Sequence, residues 1–214
     1  MTGGPVRGAA GSPLPALLFA LLLAVSACAR VPKIIVLEDP LSADEHVTLG
    51  VAYEREGKLD LAAREYEAAL KKDNAFFQAR VNLGNVRLAQ MRYDAAREEY
   101  LEALALRPSD PEATNNLAWA AILSGKERED ALRRMESVLA DPVRRSPPLL
   151  DTLGVLLDGF SRPVEAERAF AEAEQLCGAG DPACTDAVTK EIREHREALR
   201  KRFPVPSGEA PLVR

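Results

Sequence analysis

The most constraining feature of the sequence is an internal repeat of small and bulky residues. A glycine at 50, 84 and 154 is followed by alanine 12 positions later, an aromatic residue 4 further on and alanine 3 further on. A degenerate copy, spaced 13, 4 and 3, begins at Ala118 and carries Met135 in place of the aromatic residue. Self-similarity at a fixed period is typical of repeat architectures, so the chain is expected to fold as a stacked array.

The repeat predicts pairs of helices in close contact. A small residue on each helix lets the two axes approach, and the bulky residue four positions after the alanine lies on the same face. One pair cannot bury its apolar stripe alone, so stacking of neighbouring pairs must supply the core. The residues predicted to pack the repeats are Gly50, Ala62, Tyr66, Gly84, Ala96, Tyr100, Gly154, Ala166 and Phe170.

The pattern divides most of the chain into helices, with glycine and proline between them. The predicted helices are 43–56, 59–72, 76–90, 93–106, 111–124, 127–140, 147–159, 162–176 and 185–203. They group into four repeats over 43–76, 77–110, 111–146 and 147–176. A cysteine-bounded loop and a capping helix come next over 177–203, where Val188, Ile192, Leu199 and Phe203 form the expected apolar stripe. The proline-containing tail 204–214 is expected to be disordered.

This pattern resembles the tetratricopeptide repeat (TPR) family, whose repeat is a helix–turn–helix unit of 34 residues. Tyr53 and Pro108 match further positions of that motif. The resemblance implies an all-α, right-handed α-solenoid of about four repeats plus a C-terminal capping helix. It also implies a concave groove, lined by the first helix of each repeat, that binds a protein partner. The predicted groove residues are Asn82, Asn85, Asn115, Asn116 and Trp119.

The chemistry of these groove residues suits an extended peptide. Asparagine can both donate to and accept from backbone amides, and tryptophan is a frequent binding hot spot. Trp119 has an alternative interpretation as a packing residue between repeats. Recognition of a carboxy-terminal EEVD-type peptide is not expected, because the positions that are basic in chaperone-binding members hold Val47, Glu112 and Asn116.

The first 28 residues resemble a bacterial lipoprotein signal. Arg7 precedes an apolar run over 16–25, which is too short to span a bilayer comfortably. The run ends in the sequence VSAC, which is similar to the lipobox. That similarity implies a signal peptide over 1–27, acylation of Cys28 (for example with palmitate) and a tether over 28–42. Cleavage after Ala27 without acylation is the alternative.

The resemblance to lipoproteins also implies a location. The predicted site is the bacterial cell envelope, with the chain anchored by its lipid. Residue 29 is alanine rather than aspartate, which in enteric-type bacteria implies sorting to the outer membrane, facing the periplasm.

Two further cysteines lie close together after the repeats. In an exported protein, Cys177 and Cys184 are expected to form a disulfide, although two free thiols remain an alternative. A loop this short would contribute about 2–3 kcal/mol in the chain-entropy model.

The composition argues against an enzyme. Only two histidines are present, and no nucleophile motif or phosphate-binding loop is found, so no catalytic residue, cofactor or metal is expected. His195 follows Glu191 by four positions and is expected to form a solvated pair with it, while His46 is expected to be structural. The formal net charge of -5 argues against nucleic-acid binding. A small-molecule substrate is not expected either.

The function predicted from these features is that of a non-catalytic, lipid-anchored TPR adaptor. Similar lipoproteins include assembly factors of type IV pilus or secretion machinery and adaptors of peptidoglycan hydrolases. A companion of an exported peptidase and a self-assembling structural lipoprotein are alternatives. Architecture alone does not choose among these roles.

Overall fold

The computed structural model describes residues 39–204, together with Met1 and Gly4. The rest of the predicted signal peptide, Cys28 and most of the tether therefore lie outside the described residues, as does the tail from 205 onward. Within the described part, no helix has the length and apolar character that crossing a membrane requires.

The described residues from 41 onward fold as consecutive helices, and no strand is found among them. The helices are α1 (Ala43–Arg55), α2 (Leu59–Lys72), α3 (Phe77–Ala89), α4 (Tyr93–Leu106), α5 (Pro111–Ser124), α6 (Arg128–Leu139), α7 (Pro147–Gly159), α8 (Pro163–Gly178) and α9 (Asp186–Arg202). A 3-10 turn, Pro142–Arg144, lies between α6 and α7. Successive helices pack against each other as antiparallel pairs, which confirms the predicted all-α solenoid.

Local signals in the sequence explain where these helices begin and end. Ser42 caps α1 through a capping box with Glu45, which satisfies backbone N–H groups at the helix start. Asp110 caps α5 and is followed by Pro111 at the first helical position, where a missing N–H costs nothing. Gly125 ends α5 at φ 73°, a left-handed conformation that glycine adopts without a steric penalty.

In three of the four helix pairs, a glycine on the first helix packs against an aromatic ring on the second helix. A Cβ added to each of these glycines would lie 2.5 Å from the ring atom Cε1 of the residue opposite. That distance is far below van der Waals contact, so only glycine fits at this backbone geometry. The pairs are Gly50 with Tyr66, Gly84 with Tyr100, and Gly154 with Phe170.

The third pair solves the same packing problem differently. Ala118 stands where the other repeats have glycine, and the fully buried Met135 stands where they have a ring. Methionine is unbranched and flexible, so it can make room for the extra methyl group. The third repeat therefore differs from the others both in the spacing of its small residues and in the residue types that meet between its two helices.

The last helix packs as the first helix of a fifth pair would, against both α8 and α7. Ile192 and Leu199 are buried in the same apolar cluster as the third and fourth pairs. Val188 lies at the edge of that cluster. Phe203 was expected on this stripe, but that expectation is wrong, because α9 ends at Arg202 and the Phe203 side chain is 40% exposed.

The contact between Gly84 and Tyr100 generates a stability prediction. Gly84→Ala should lower the free energy of unfolding, because overpacking a core typically costs about 1–3 kcal/mol. The intrinsic gain of alanine over glycine in a helix, up to about 1 kcal/mol, only partly offsets this cost. Urea unfolding followed by circular dichroism measures the change.

Gly178→Ala is the matched control. Gly178 is also helical, but nothing lies within 4 Å of the position its Cβ would take. This variant should be neutral or slightly stabilised. Equal unfolding midpoints for Gly84→Ala and Gly178→Ala would contradict the proposed contact.

Candidate functional site

The predicted groove residues lie on the first helices of the second and third pairs. Asn82 and Asn85 are on α3, and Asn115, Asn116 and Trp119 are on α5. All five are partly buried, so each retains some solvent-accessible surface. On α3 the amide of Gln78 donates to Asn82 Oδ1 over 2.9 Å, which orients the Asn82 side chain.

Asn85 is the centre of a hydrogen-bond network that links two repeats. Its Oδ1 accepts from the hydroxyl of Tyr100 over 2.8 Å and from Nδ2 of Asn116 over 2.9 Å. Burial raises the pKa of Tyr100, so its hydroxyl stays protonated and donates. The carbonyl oxygen of Asn85 is therefore committed within the protein, and its amide N–H groups are the atoms left to face a ligand.

The first repeat uses its tyrosine in the same way. The hydroxyl of Tyr66 donates to the carboxylate of Glu54 on α1. The repeat tyrosines thus serve both the core, through their rings, and the first-helix face, through their hydroxyls. Sequence reasoning assigned them to packing alone, although a buried tyrosine hydroxyl usually finds a partner and this could have signalled the second role.

Trp119 and Asn115 lie at a different part of this face. They line a small cavity of about 100 Å³ together with Asp151 of α7 and Val188, Glu191 and Ile192 of α9. The ring centroids of Trp119 and His195 are 6.5 Å apart. Trp119 is half-buried beside the last helix and does not belong to the apolar clusters of the described residues.

The prediction that His195 pairs with Glu191 is wrong, because the side chain that His195 contacts is Asp151. Nδ1 of His195 lies 2.9 Å and 3.0 Å from the two carboxylate oxygens of Asp151, which is buried. This hydrogen bond raises the pKa of His195, because the carboxylate stabilises the protonated ring. Asp151 is 44 residues away in sequence, so helix spacing alone did not reveal it.

The other histidine lies inside the first pair. His46 is buried on α1, and its Nδ1 lies 2.8 Å from a carboxylate oxygen of Glu65 on α2. This contact joins the two helices of the first repeat.

Ion pairs also fix α9 to the last repeat. Arg196 donates to Glu167 over 2.7 Å and also contacts Glu174, and Arg200 donates to Glu167 over 2.6 Å. Burial raises the pKa of Glu167, but the hydrogen bonds from the two arginines outweigh it and hold that pKa below its ordinary value. Glu167 is therefore ionised at neutral pH, as these contacts require.

A disulfide joins Cys177 at the end of α8 to Cys184 just before α9. Reduction should increase amide hydrogen exchange in α9 and leave the first two repeats unchanged. The bridge closes a loop of only 7 residues in sequence separation, and repeat arrays are stabilised mainly by contacts between neighbours. Exchange measured by mass spectrometry with and without reductant tests this. Increased exchange spread evenly over all repeats would contradict it.

Consecutive helix pairs that pack on one another, with a polar face on the first helices, are typical of helical-repeat proteins, and this chain has both features. The tetratricopeptide repeat family model matches residues 47–111 and 81–129. The match spans residues 47–129, and the described helices have the fold of a TPR solenoid.

Two comparisons concern type IV pilus proteins. The chain is 40% identical over 76 residues to the type IV pilus assembly protein PilF of Pseudomonas aeruginosa. That match covers 35% of this chain and only 30% of the PilF relative, so it spans less than a third of the relative's length. The solved structure of Pseudomonas aeruginosa PilF has a TM-score of 0.58 at 23% identity, over 76% of this chain and 71% of that one.

Other solved structures share the fold at low identity. PilW, described as a widely conserved type IV pilus biogenesis factor, has a TM-score of 0.58 at 18% identity, over 76% of this chain and 78% of that one. The Cut9–Hcn1 structure of APC/C has a TM-score of 0.67 at 18% identity, over 87% of this chain and 34% of that one. At such identities these structures show the fold alone.

Proposed function

We propose that this protein is a non-catalytic adaptor of the bacterial envelope that binds an extended segment of a protein partner along α3 and α5. The observation that carries the proposal is the network at Asn85, which fixes the asparagine amides of two repeats in one orientation. An extended peptide presents backbone C=O groups at regular intervals, and the amide N–H groups of Asn85 can donate to them. Because these amides are already oriented, less side-chain entropy is lost on binding.

The partner is proposed to belong to an envelope assembly of the type IV pilus kind. The support is the similarity to PilF over 76 residues and the fold shared with PilF and PilW. A partner from secretion or peptidoglycan machinery would fit the same adaptor role, because a TPR array supplies a binding surface rather than a reaction.

A lipid anchor is the second part of the proposal. Its support is the apolar run that ends in VSAC at Cys28. Several acyl chains would hold the protein stably at a membrane, and the outer membrane is the proposed one because residue 29 is alanine. The repeats would then present their first-helix face in the periplasm.

Two groove substitutions test the binding surface, after the partner has been identified by crosslinking in intact envelopes. Asn85→Ala should weaken binding by about 1–3 kcal/mol through lost hydrogen bonds. Trp119→Ala should weaken it by about 2 kcal/mol or more if Trp119 is a hot spot. Affinities by calorimetry, with thermal melts of the same samples, measure both effects. Normal affinity in both folded variants would exclude this face as the binding surface.

Two controls separate binding from folding. Glu98→Ala changes an exposed residue of α4, on the second helix of its pair, and should leave affinity unchanged. Tyr100→Phe keeps the ring against Gly84, as Phe170 does against Gly154, but removes the hydroxyl that orients Asn85. This variant should remain folded and bind more weakly than wild type.

The anchor has an independent test. Cys28→Ser should abolish incorporation of a fatty-acid analogue and release the protein from membranes. Cys184→Ser is the matched control, because it also replaces a cysteine by serine but leaves the VSAC sequence intact. Undiminished labelling of Cys28→Ser would contradict lipidation at this residue.

A further inference from the structure

The geometry points to a metal site beside the groove: we propose that Asp151, Glu191 and His195 bind one divalent transition-metal ion, with Zn²⁺ as the best match. One possible ligand atom from each residue lies within 4.8 Å of the other two. Glu191 and His195 occupy adjacent turns on one face of α9, and Asp151 faces them from α7. This inference goes beyond the adaptor function and does not depend on it.

The spacing fits a single ion after a small side-chain movement. Zinc bonds to nitrogen and oxygen ligands are about 2.0–2.2 Å long. The atoms that bind one zinc ion therefore lie closer to one another than the separations of up to 4.8 Å found here. Glu191 is exposed, so its carboxylate can rotate toward the other two ligands. Asp151 and His195 are already in contact.

The kinds of ligand decide the class of ion. One imidazole nitrogen and two carboxylates form a mixed set that suits zinc and its neighbours in the first transition row. Calcium and magnesium prefer oxygen ligands alone, so the imidazole of His195 argues against them. Binding replaces the proton between His195 Nδ1 and Asp151 with the ion, and that proton is released to solvent when the ring was protonated.

A second observation points to a ligand in the same cavity. Oδ1 of Asn115 is buried and has no hydrogen-bond partner among the described residues. A buried carbonyl oxygen without a partner is unfavourable, and a water bound to the ion could donate to it. Asn115 and two of the three proposed ligands, Asp151 and Glu191, line one cavity of about 100 Å³, which is large enough for an ion and a water.

The surroundings keep the proposed ligands in place. Asp151 is buried on α7, and α9 is held to the last repeat by Arg196, Arg200 and the disulfide. Rigid support of this kind positions metal ligands before the ion arrives. A bound ion would add a bond between α7 and α9 at the edge of the groove where Trp119 lies.

Trp119 makes the site directly observable. It is the only tryptophan in the sequence, and its ring centroid is 6.5 Å from that of His195. Cu²⁺ or Co²⁺ bound at this site should quench the tryptophan fluorescence in a saturable manner. The experiment uses the full-length protein in detergent after treatment with a chelator, and calorimetry with Zn²⁺ gives the affinity and the number of ions.

The decisive comparison is between two glutamates of α9. Glu191→Gln should weaken Zn²⁺ binding about tenfold or more, since even changes outside the ligand shell can cost that much. Glu194→Gln makes the same change of charge at an exposed residue one position before His195 and outside the proposed ligand set, so it should keep the wild-type affinity. Circular dichroism melts of both variants verify that each is folded.

The outcomes separate cleanly. One Zn²⁺ per chain, saturable quenching and a loss specific to Glu191→Gln support the site. Equal affinities of the two glutamate variants, absence of saturable Zn²⁺ binding, or quenching that Mg²⁺ reproduces would each overturn it.

Discussion

The contact of an aromatic ring with a glycine on the facing helix is the constraint on which the rest of the structure depends. It sets how closely the two helices of a repeat approach, because a Cβ at Gly84 would collide with Tyr100. The same ring carries its hydroxyl past the glycine to the next residue, Asn85, on the first-helix face. Packing and the candidate binding surface therefore rely on two parts of one side chain, the ring and the hydroxyl of Tyr100.

The fourth repeat keeps the ring contact but lacks the hydroxyl. Phe170 packs on Gly154 as the tyrosines do on their glycines, and it has no polar atom to offer the first-helix face. There the ring of His195 lies 6.1 Å from Phe170, and α9 covers the position. In place of the polar network of the second and third repeats, this position has a contact between His195 Nδ1 and the carboxylate of Asp151.

Both ion pairs and apolar burial hold the last helix on the array. Only Ile192 and Leu199 of α9 are buried, while Arg196 and Arg200 bind carboxylates of α8. Partly buried ion pairs contribute less to stability than their Coulomb attraction suggests, because each charge loses solvation. Their geometric requirement, however, favours one register of α9 on the last repeat, and this register brings His195 to Asp151.

The sequence alone determined the helices, their pairing and the disulfide partners, because these depend on periodicity and on residues near in the chain; each predicted helix begins and ends within two residues of the observed one. The network at Asn85, the partner of His195 and the position of Trp119 beside α9 required the tertiary structure. His195 and Asp151 are 44 residues apart, and their meeting depends on how successive pairs rotate as they stack. Local pattern does not encode that rotation, which is the sum of many packing contacts.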